Sequence, residues 1–237
     1  MSGTAVVLRP EPGNAATCAA ARSLGLEAVA APLFEIARVV WHAPAPARFD
    51  AVLFGSANAL RCGGERLAAL RSLPAYCVGA ATADAARSAG FSISAVGKGG
   101  IASLVPALAR DGRRRALRLA GEAHVDLDAG PGCRVETVVV YRALPLPLAR
   151  PAAEALRAGA VALLHSAEAA GHFAGECDRL GQARETVALA CMGPRIAEEA
   201  GTGWRAVHTA AEPNDAALLA LARRMCQTAP SGVARQH

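Results

Sequence analysis

The sequence predicts an α/β fold of two similar parallel-sheet domains, flavodoxin- or Rossmann-like, joined by a two-stranded extended linker. Three features carry that prediction. Short apolar runs alternate along the chain with Ala-rich helical stretches, which is the order that builds parallel sheets with helices on both faces. The runs are continuously apolar, as strands covered on both faces must be. The chain also repeats itself. Ala51-Val-Leu-Phe-Gly-Ser56 resembles Val161-Ala-Leu-Leu-His-Ser166, and 166 − 56 is 110. Cys77-Val-Gly79 resembles Cys191-Met-Gly193, and 193 − 79 is 114. The stretch Ala5 to Phe34 has its counterpart in Ala116 to Tyr141, and 116 − 5 is 111. A repeat at this period points to two copies of one supersecondary unit.

Taken in order, a strand is expected at Ala5–Leu8, ended by Arg9-Pro10, followed by a helix over Ala15–Leu24 and a strand at Ala28–Ala31. Ala51–Phe54 ends at Gly55-Ser56 and opens a helix over Asn58–Leu70, and Ala75–Val78 ends at Gly79 and opens one over Thr82–Ala89. Ser103–Ala109 reads as a helix, and Ala116–Ala120 and Glu136–Val140 read as strands. The last third gives strands at Val161–His165, Val187–Met192 and Ala206–Thr209, with helices at Ala167–Leu180, Arg195–Ala200 and Asp215–Met225. Each boundary carries Gly, Pro, Ser or Asn, the residues that punctuate regular structure. The tail after Cys226 is expected to fray.

Prolines place the domain crossings, because they interrupt helices and sheets. Trp41–Ala47 and Leu144–Pro151 are proline-rich and fall inside the repeats, whereas the junction at Arg110–Arg115 is short. A discontinuous domain follows: residues 1–36 with 152–237 form one, and 44–143 the other. Residues 35–43 and 138–151 are then the linkers, with Glu35–Val40 and Val138–Leu144 running side by side as a hinge.

The 237 residues are 53% hydrophobic and 19% charged, with a net charge of +5, which excludes disorder for most of the chain. No run approaches the roughly 20 apolar residues that span a bilayer, and no secretory signal is read at the start. Only Lys98 among the 25 basic residues is lysine. Guanidinium grips oxyanions in a bidentate fork, so a basic, arginine-rich chain suits an anionic ligand. Arg110, Arg113, Arg114, Arg115 and Arg118 form the densest cluster, read as a solvated loop leading into a strand rather than a nucleic-acid patch. Few aromatic residues are present for stacking bases. Seven cysteines without a C-x-x-C pair read as buried hydrophobes in a reducing compartment. No metal site, P-loop, dinucleotide fingerprint or nucleophile elbow is found.

In open α/β sheets, ligands bind beyond the carboxyl ends of the strands. Polar residues gather there: Arg9, Ser56 with Asn58, Gly79 to Thr82, Gly121-Glu122, Ser166, and Gly193-Pro194-Arg195. Singly, each reads as an ordinary helix cap or turn. Together they are equally consistent with an anion-binding cleft shared by both repeats.

The set Ala5-Val-Val-Leu-Arg9-Pro10, Asp50-Ala-Val-Leu-Phe-Gly-Ser56-Ala-Asn58-Ala-Leu-Arg61, Val78-Gly79-Ala-Ala-Thr82-Ala83 and Val140-Tyr141-Arg142 resembles the uroporphyrinogen-III synthase family. Leu164-His-Ser166, Met192-Gly193-Pro194 and Ala211-Glu212-Pro213 extend the likeness in order. The resemblance implies a cofactor-free lyase without a metal, a cytoplasmic monomer whose partner is a small polycarboxylate tetrapyrrole, not nucleic acid or a membrane. The family dehydrates and cyclises hydroxymethylbilane to uroporphyrinogen III, inverting the last pyrrole ring.

By the same resemblance Tyr141 matches the family's linker tyrosine and is the catalytic candidate. Arg9, Ser56, Asn58, Thr82, Gly121, Glu122, Ser166 and Arg195 are substrate-binding candidates. Two departures stand out. Val125 sits where the family usually has arginine, with His124 beside it as a possible substitute. Ile196 replaces a hydroxyl residue. These leave room for a paralogue without activity that binds a tetrapyrrole or other polyanion as a sensor or adaptor.

Overall fold

The computed structural model describes residues 3–228. Its strands are β1 (Thr4–Val7), β2 (Glu27–Ala30), β3 (Phe34–Arg38), β4 (Ala51–Phe54), β5 (Ala75–Val78), β6 (Ile93–Gly97), β7 (Arg115–Gly121), β8 (Arg134–Pro145), β9 (Val161–Leu164), β10 (Ala188–Cys191) and β11 (Ala206–Thr209). The helices between them are α1 (Gly13–Ser23), α2 (Ala57–Gly63), α3 (Ala80–Ser88), α4 (Val105–Arg110), α5 (Arg150–Arg157), α6 (Ala167–Arg179), α7 (Pro194–Ala200) and α8 (Asp215–Thr228). No helix among the described residues is long and apolar enough to cross a membrane.

The chain divides into two compact units, one holding the residues up to Glu35 with those from Pro145 onward, the other holding Ile36–Leu144. The first unit carries a five-stranded sheet in the order β11-β10-β9-β1-β2, parallel throughout. The second sheet has the order β3-β8-β7-β4-β5-β6, and its run from β8 to β6 is parallel. Replacing β11, β10, β9, β1 and β2 by β6, β5, β4, β7 and β8 turns one order into the other. The sequence repeat is therefore also a repeat of topology.

Burial follows strand position. β4, β9 and β10 are buried at every residue, as continuous apolar runs require. The edge strands β6 and β11 are partly open. In the second unit, Val52, Phe54, Leu117 and Leu119 point to one core with Ala59, Leu60, Ala83 and Phe91. Leu53, Tyr76 and Ala116 point to the opposite one with Ile101, Leu104 and Leu108.

The expected strand Glu136–Val140 is longer, as β8, part of the expected linker 35–43 is the strand β3, and the expected helix Ser103–Ala109 begins as a 3₁₀ turn before α4. Four further departures have plain local causes. β6 was not expected, because Ile93-Ser-Ala-Val-Gly lacks a continuous apolar run; an edge strand does not need one. The expected helix Asn58–Leu70 is split into α2 and a 3₁₀ segment, Gly64–Leu70, where Gly64 takes φ +63°, a left-handed value costly for other residues. The expected connector Leu144–Pro151 ends in α5, which Pro151 opens from its first turn. Finally, α8 continues to Thr228 past Cys226, and the remainder of the tail expected to fray lies outside the described residues.

Candidate active site

Arginine in the middle of an apolar strand is the feature around which the second unit's site is arranged. β7 reads Arg115-Ala-Leu-Arg118-Leu-Ala-Gly121, and strand alternation puts Arg118 on the face of Ala116, away from Leu117 and Leu119. Arg118 is 5% exposed. Its Nη1 donates to the Val125 carbonyl at 2.6 Å, while its Nε is buried without a partner. No carboxylate among the described residues pairs with it. Burial pushes its pKa down, opposed by the nearby Tyr141 and Asp126. A cavity of about 230 Å³ opens beside it, lined also by Ser56, Ile101, Gly121, His124, Val125 and Tyr141.

Tyr141 reaches this cavity through a local irregularity. Ala120 pairs with Val139 but Gly121 pairs with Tyr141, so β8 carries one extra residue, Val140. Such a bulge re-aims the side chains that follow it. A Cβ on Gly121 would lie 2.7 Å from Cε2 and Cζ of the Tyr141 ring, so only glycine lets the ring lie against the β7 backbone. The Glu122 N–H donates to the Tyr141 carbonyl at 2.9 Å and fixes the strand there. His124 turns Nδ1 toward two carbonyls, Gly121 at 2.8 Å and Glu122 at 3.1 Å. Two acceptors assign the proton to Nδ1 and leave Nε2 as the other polar edge of the ring.

Of the residues expected at a site in this unit, Ser56, Gly121 and Tyr141 share the cavity. Ser56 is at the same time the N-cap of α2, its Oγ accepting from the Asn58 N–H at 3.2 Å. Asn58 does not line the cavity; its Oδ1 accepts from Arg61 Nη1 at 3.1 Å. Thr82 is buried in the first turn of α3, and Glu122 is exposed. Arg110, Arg114 and Arg115 are exposed and Arg113 half-buried where a turn leads into β7, as expected of most of the basic cluster. Arg110 pairs with Asp111, Arg113 Nε donates to Tyr76 Oη, and the backbone N–H groups of Arg114 and Arg115 donate to the Asp50 carboxylate. Arg118 is the correction to that reading: strand alternation buries it.

The first unit has its own polar cluster at strand ends. Arg9 follows β1, His165 follows β9, and both meet Asp215, the first residue of α8. Arg9 Nη1 donates to Oδ1 and Oδ2 of Asp215 at 2.9 and 2.8 Å, and Thr17 Oγ1 donates to Oδ2 at 2.8 Å. His165 Nε2 lies 3.2 Å from Oδ1 without the alignment of a hydrogen bond. Burial works to raise the Asp215 pKa, but His165, Thr17 and the Arg9 charge outweigh it and hold the carboxyl at about 2. Arg9 is thus already matched by a carboxylate of its own unit. Ser166 caps α6, accepting from the Ala169 N–H at 3.2 Å, and Arg195 is exposed in the first turn of α7.

The thiols take no part in either cluster. Burial pushes Cys177 up to about 12 and Cys77 and Cys191 to about 11, so thiolate is scarce at neutral pH.

Sequence reasoning missed Arg118 as a site residue, and Asp215 and His165 as partners of Arg9. A charge inside an apolar strand run was the available signal for Arg118. Nothing local marks Asp215, which lies 206 residues from Arg9.

A family model described as Uroporphyrinogen-III synthase HemD matches residues 15–220. Among solved structures, uroporphyrinogen-III synthetase from Helicobacter pylori is similar at 19% identity, with 94% of this chain and 98% of that chain covered and a TM-score of 0.62. A mutant uroporphyrinogen III synthase from the extremely thermophilic bacterium Thermus thermophilus is similar at 20% identity, covering 96% and 100% with a TM-score of 0.57. At such identities the likeness is one of fold. No curated protein sequence matches this chain. The family match spans most of the chain, which therefore belongs to the uroporphyrinogen-III synthase HemD family, lyases of tetrapyrrole biosynthesis.

Proposed function

We propose that this chain carries out the family's reaction, converting hydroxymethylbilane to uroporphyrinogen III with inversion of the terminal pyrrole ring. The observation that supports it is the family match combined with a cavity where the Tyr141 ring is set against Gly121 beside a buried guanidinium. The substrate is a linear tetrapyrrole carrying acetate and propionate arms. Its hydroxyl departs, a spiro intermediate inverts the last ring, and the macrocycle closes with release of a ring proton, so that one water is lost overall.

The azafulvene cation left after the hydroxyl departs is reactive, so the protein's main task is to hold both chain ends in the inverting geometry. Phenol has an ordinary pKa of about 10, so Tyr141 assists the departing hydroxyl by donating a hydrogen bond, without a complete proton transfer. Ser56 and Gly121 border the place where an arm is held, and exposed Arg195 offers a further cation in the first unit. The reading carries with it a monomer working in the cytoplasm without a cofactor.

The test supplies hydroxymethylbilane and resolves the isomers of the product. Type III in excess of type I, formed faster than spontaneous closure, is expected. Type I alone at the spontaneous rate defeats the proposal.

A further inference from the structure

An ionised guanidinium taken out of water is unfavourable unless it is paired, and arginine does not escape by losing its proton. Arg118 is in that position. Only 5% of it is exposed, one hydrogen bond to a neutral carbonyl compensates it, and its Nε has no partner. The cavity it lines is polar at Ser56, His124 and Tyr141 and apolar at Ile101 and Val125. At about 230 Å³ the cavity is smaller than the roughly 300–1,000 Å³ that enclose a whole drug-sized ligand. It therefore suits one arm of a larger molecule. A carboxylate there gains charge-assisted hydrogen bonds from a fork already held in place by the β7 backbone and the Val125 carbonyl.

We propose that Arg118 is a carboxylate anchor, binding a single acetate or propionate arm in the cavity lined by Ser56, His124 and Tyr141. The identity of the whole ligand, and with it the choice of a carboxylate, rests on the proposed function; the oxyanion class rests on Arg118 itself. The anchor fixes one arm, and through it the position of the ring that bears the arm.

The test uses the full chain and uroporphyrin III, the oxidised octacarboxylate form of the product, as probe. Binding is followed by quenching of the porphyrin's fluorescence, with thermal melting measured in parallel for wild type, Arg118→Met and Arg118→Lys. Removing a buried unpaired charge is expected to leave the melting temperature of Arg118→Met equal to or above that of wild type. Its Kd is expected to rise about tenfold or more, and that of Arg118→Lys about threefold, since ammonium keeps the charge but loses the fork. A Kd for Arg118→Met within a factor of about two of wild type overturns the anchor, as does a wild type that does not bind the probe. If Arg118→Met fails to fold, Arg118→Lys decides in the same way, equal affinity overturning the proposal. The two readings fail separately. A wild type that binds through Arg118 yet forms only the type I isomer defeats the proposed function and leaves the anchor. Type III formation with unchanged Kd in both variants defeats the anchor alone.

Discussion

Arg118 in the second unit stands on β7, and Arg9 in the first follows the corresponding strand, β1. Removing the offset of 111 places Arg118 at position 7, two residues before Arg9. Their surroundings differ in what answers the charge. Arg9 meets Asp215, brought by the first residue of α8 after β11. The matching segment after β6 is Ile101–Leu104; since 206 − 93 is 113, Asp215 corresponds to Ala102. That segment carries no charged residue, and Ile101 lines the cavity instead. Copies of one topology thus hold a compensated arginine in one unit and an uncompensated one in the other. A residue remote in sequence decides which arginine is available to a ligand.

The largest effect is expected at the hydroxyl that shares the second unit's cavity. Tyr141→Phe should lower type III formation by about 10²-fold, within the range for an acid–base group, with a stability loss of no more than about 1 kcal/mol. Parallel losses of melting temperature and activity would make the tyrosine a packing residue and remove the functional half of the comparison. Gly121→Ala should follow. Its Cβ would meet the Tyr141 ring at 2.7 Å, so the ring must move. A stability loss of about 1–3 kcal/mol is expected from the overpacking, with roughly tenfold slower turnover from the displaced phenol. In the Tyr141→Phe background the same glycine change should cost much less activity, because its effect passes through the hydroxyl.

Acid should separate the two units. In the first, Asp215 is held at about 2, below its ordinary 3.8, and Glu176 at about 2, below its ordinary 4.5. Glu176 owes this first to its hydrogen bonds from Arg179, against a burial penalty, with help from the Leu148 N–H at 2.7 Å. Carboxyls with folded pKa values below their unfolded ones stabilise fully above the unfolded value and lose that contribution as pH falls through the folded one. The loss therefore runs from about pH 4.5 to about pH 2. Amide hydrogen exchange should show β1, β9 and α6 losing protection in that window before β4 and β7. Asp215→Asn should remove part of the difference, lowering stability at neutral pH by about 1–2 kcal/mol, since the pair with Arg9 is only partly buried. Equal acid sensitivity of the two units would show that the cluster around Asp215 contributes little.

The legible part of this molecule was what adjacent residues dictate. β4, β5 and β11 stand where their apolar runs end, and the repeat of Ser56 in Ser166 is matched by two capped helices, α2 and α6. β6 was hidden because Ile93-Ser-Ala-Val-Gly has an edge strand's mixed pattern, although the repeat places it opposite β11. Ser56, Gly121 and Tyr141 were named from sequence and lie on one cavity. Asn58, Thr82 and Glu122 were named with them and do not line it, since helical and turn geometry carries neighbours of a site residue away from it. The pairing of Arg9 and the burial of Arg118 were illegible for one reason. Whether a charge is paired depends on groups such as Asp215 or Val125 that only folding brings near, and no local pattern encodes that.

The smallest expected effect tests whether Ser56 is more than a cap. Its Oγ accepts the Asn58 N–H and also borders the cavity, so both roles predict a response to Ser56→Ala. Loss of the cap alone costs about 1 kcal/mol, and Ser56→Asn, which keeps a capping oxygen, should recover most of it. If capping is the whole role, the Asn variant matches wild type in both melting temperature and KM. If Ser56 also touches an arm of the substrate, the Asn variant melts like wild type but shows a KM raised about two- to threefold, the size expected for one neutral hydrogen bond in a partly open site. The equivalent change at Ser166, the cap of α6, gives the stability loss against which that difference is read. A Ser56 response no larger than the Ser166 one would reduce the second unit's cavity to Arg118, His124 and Tyr141 as its polar groups.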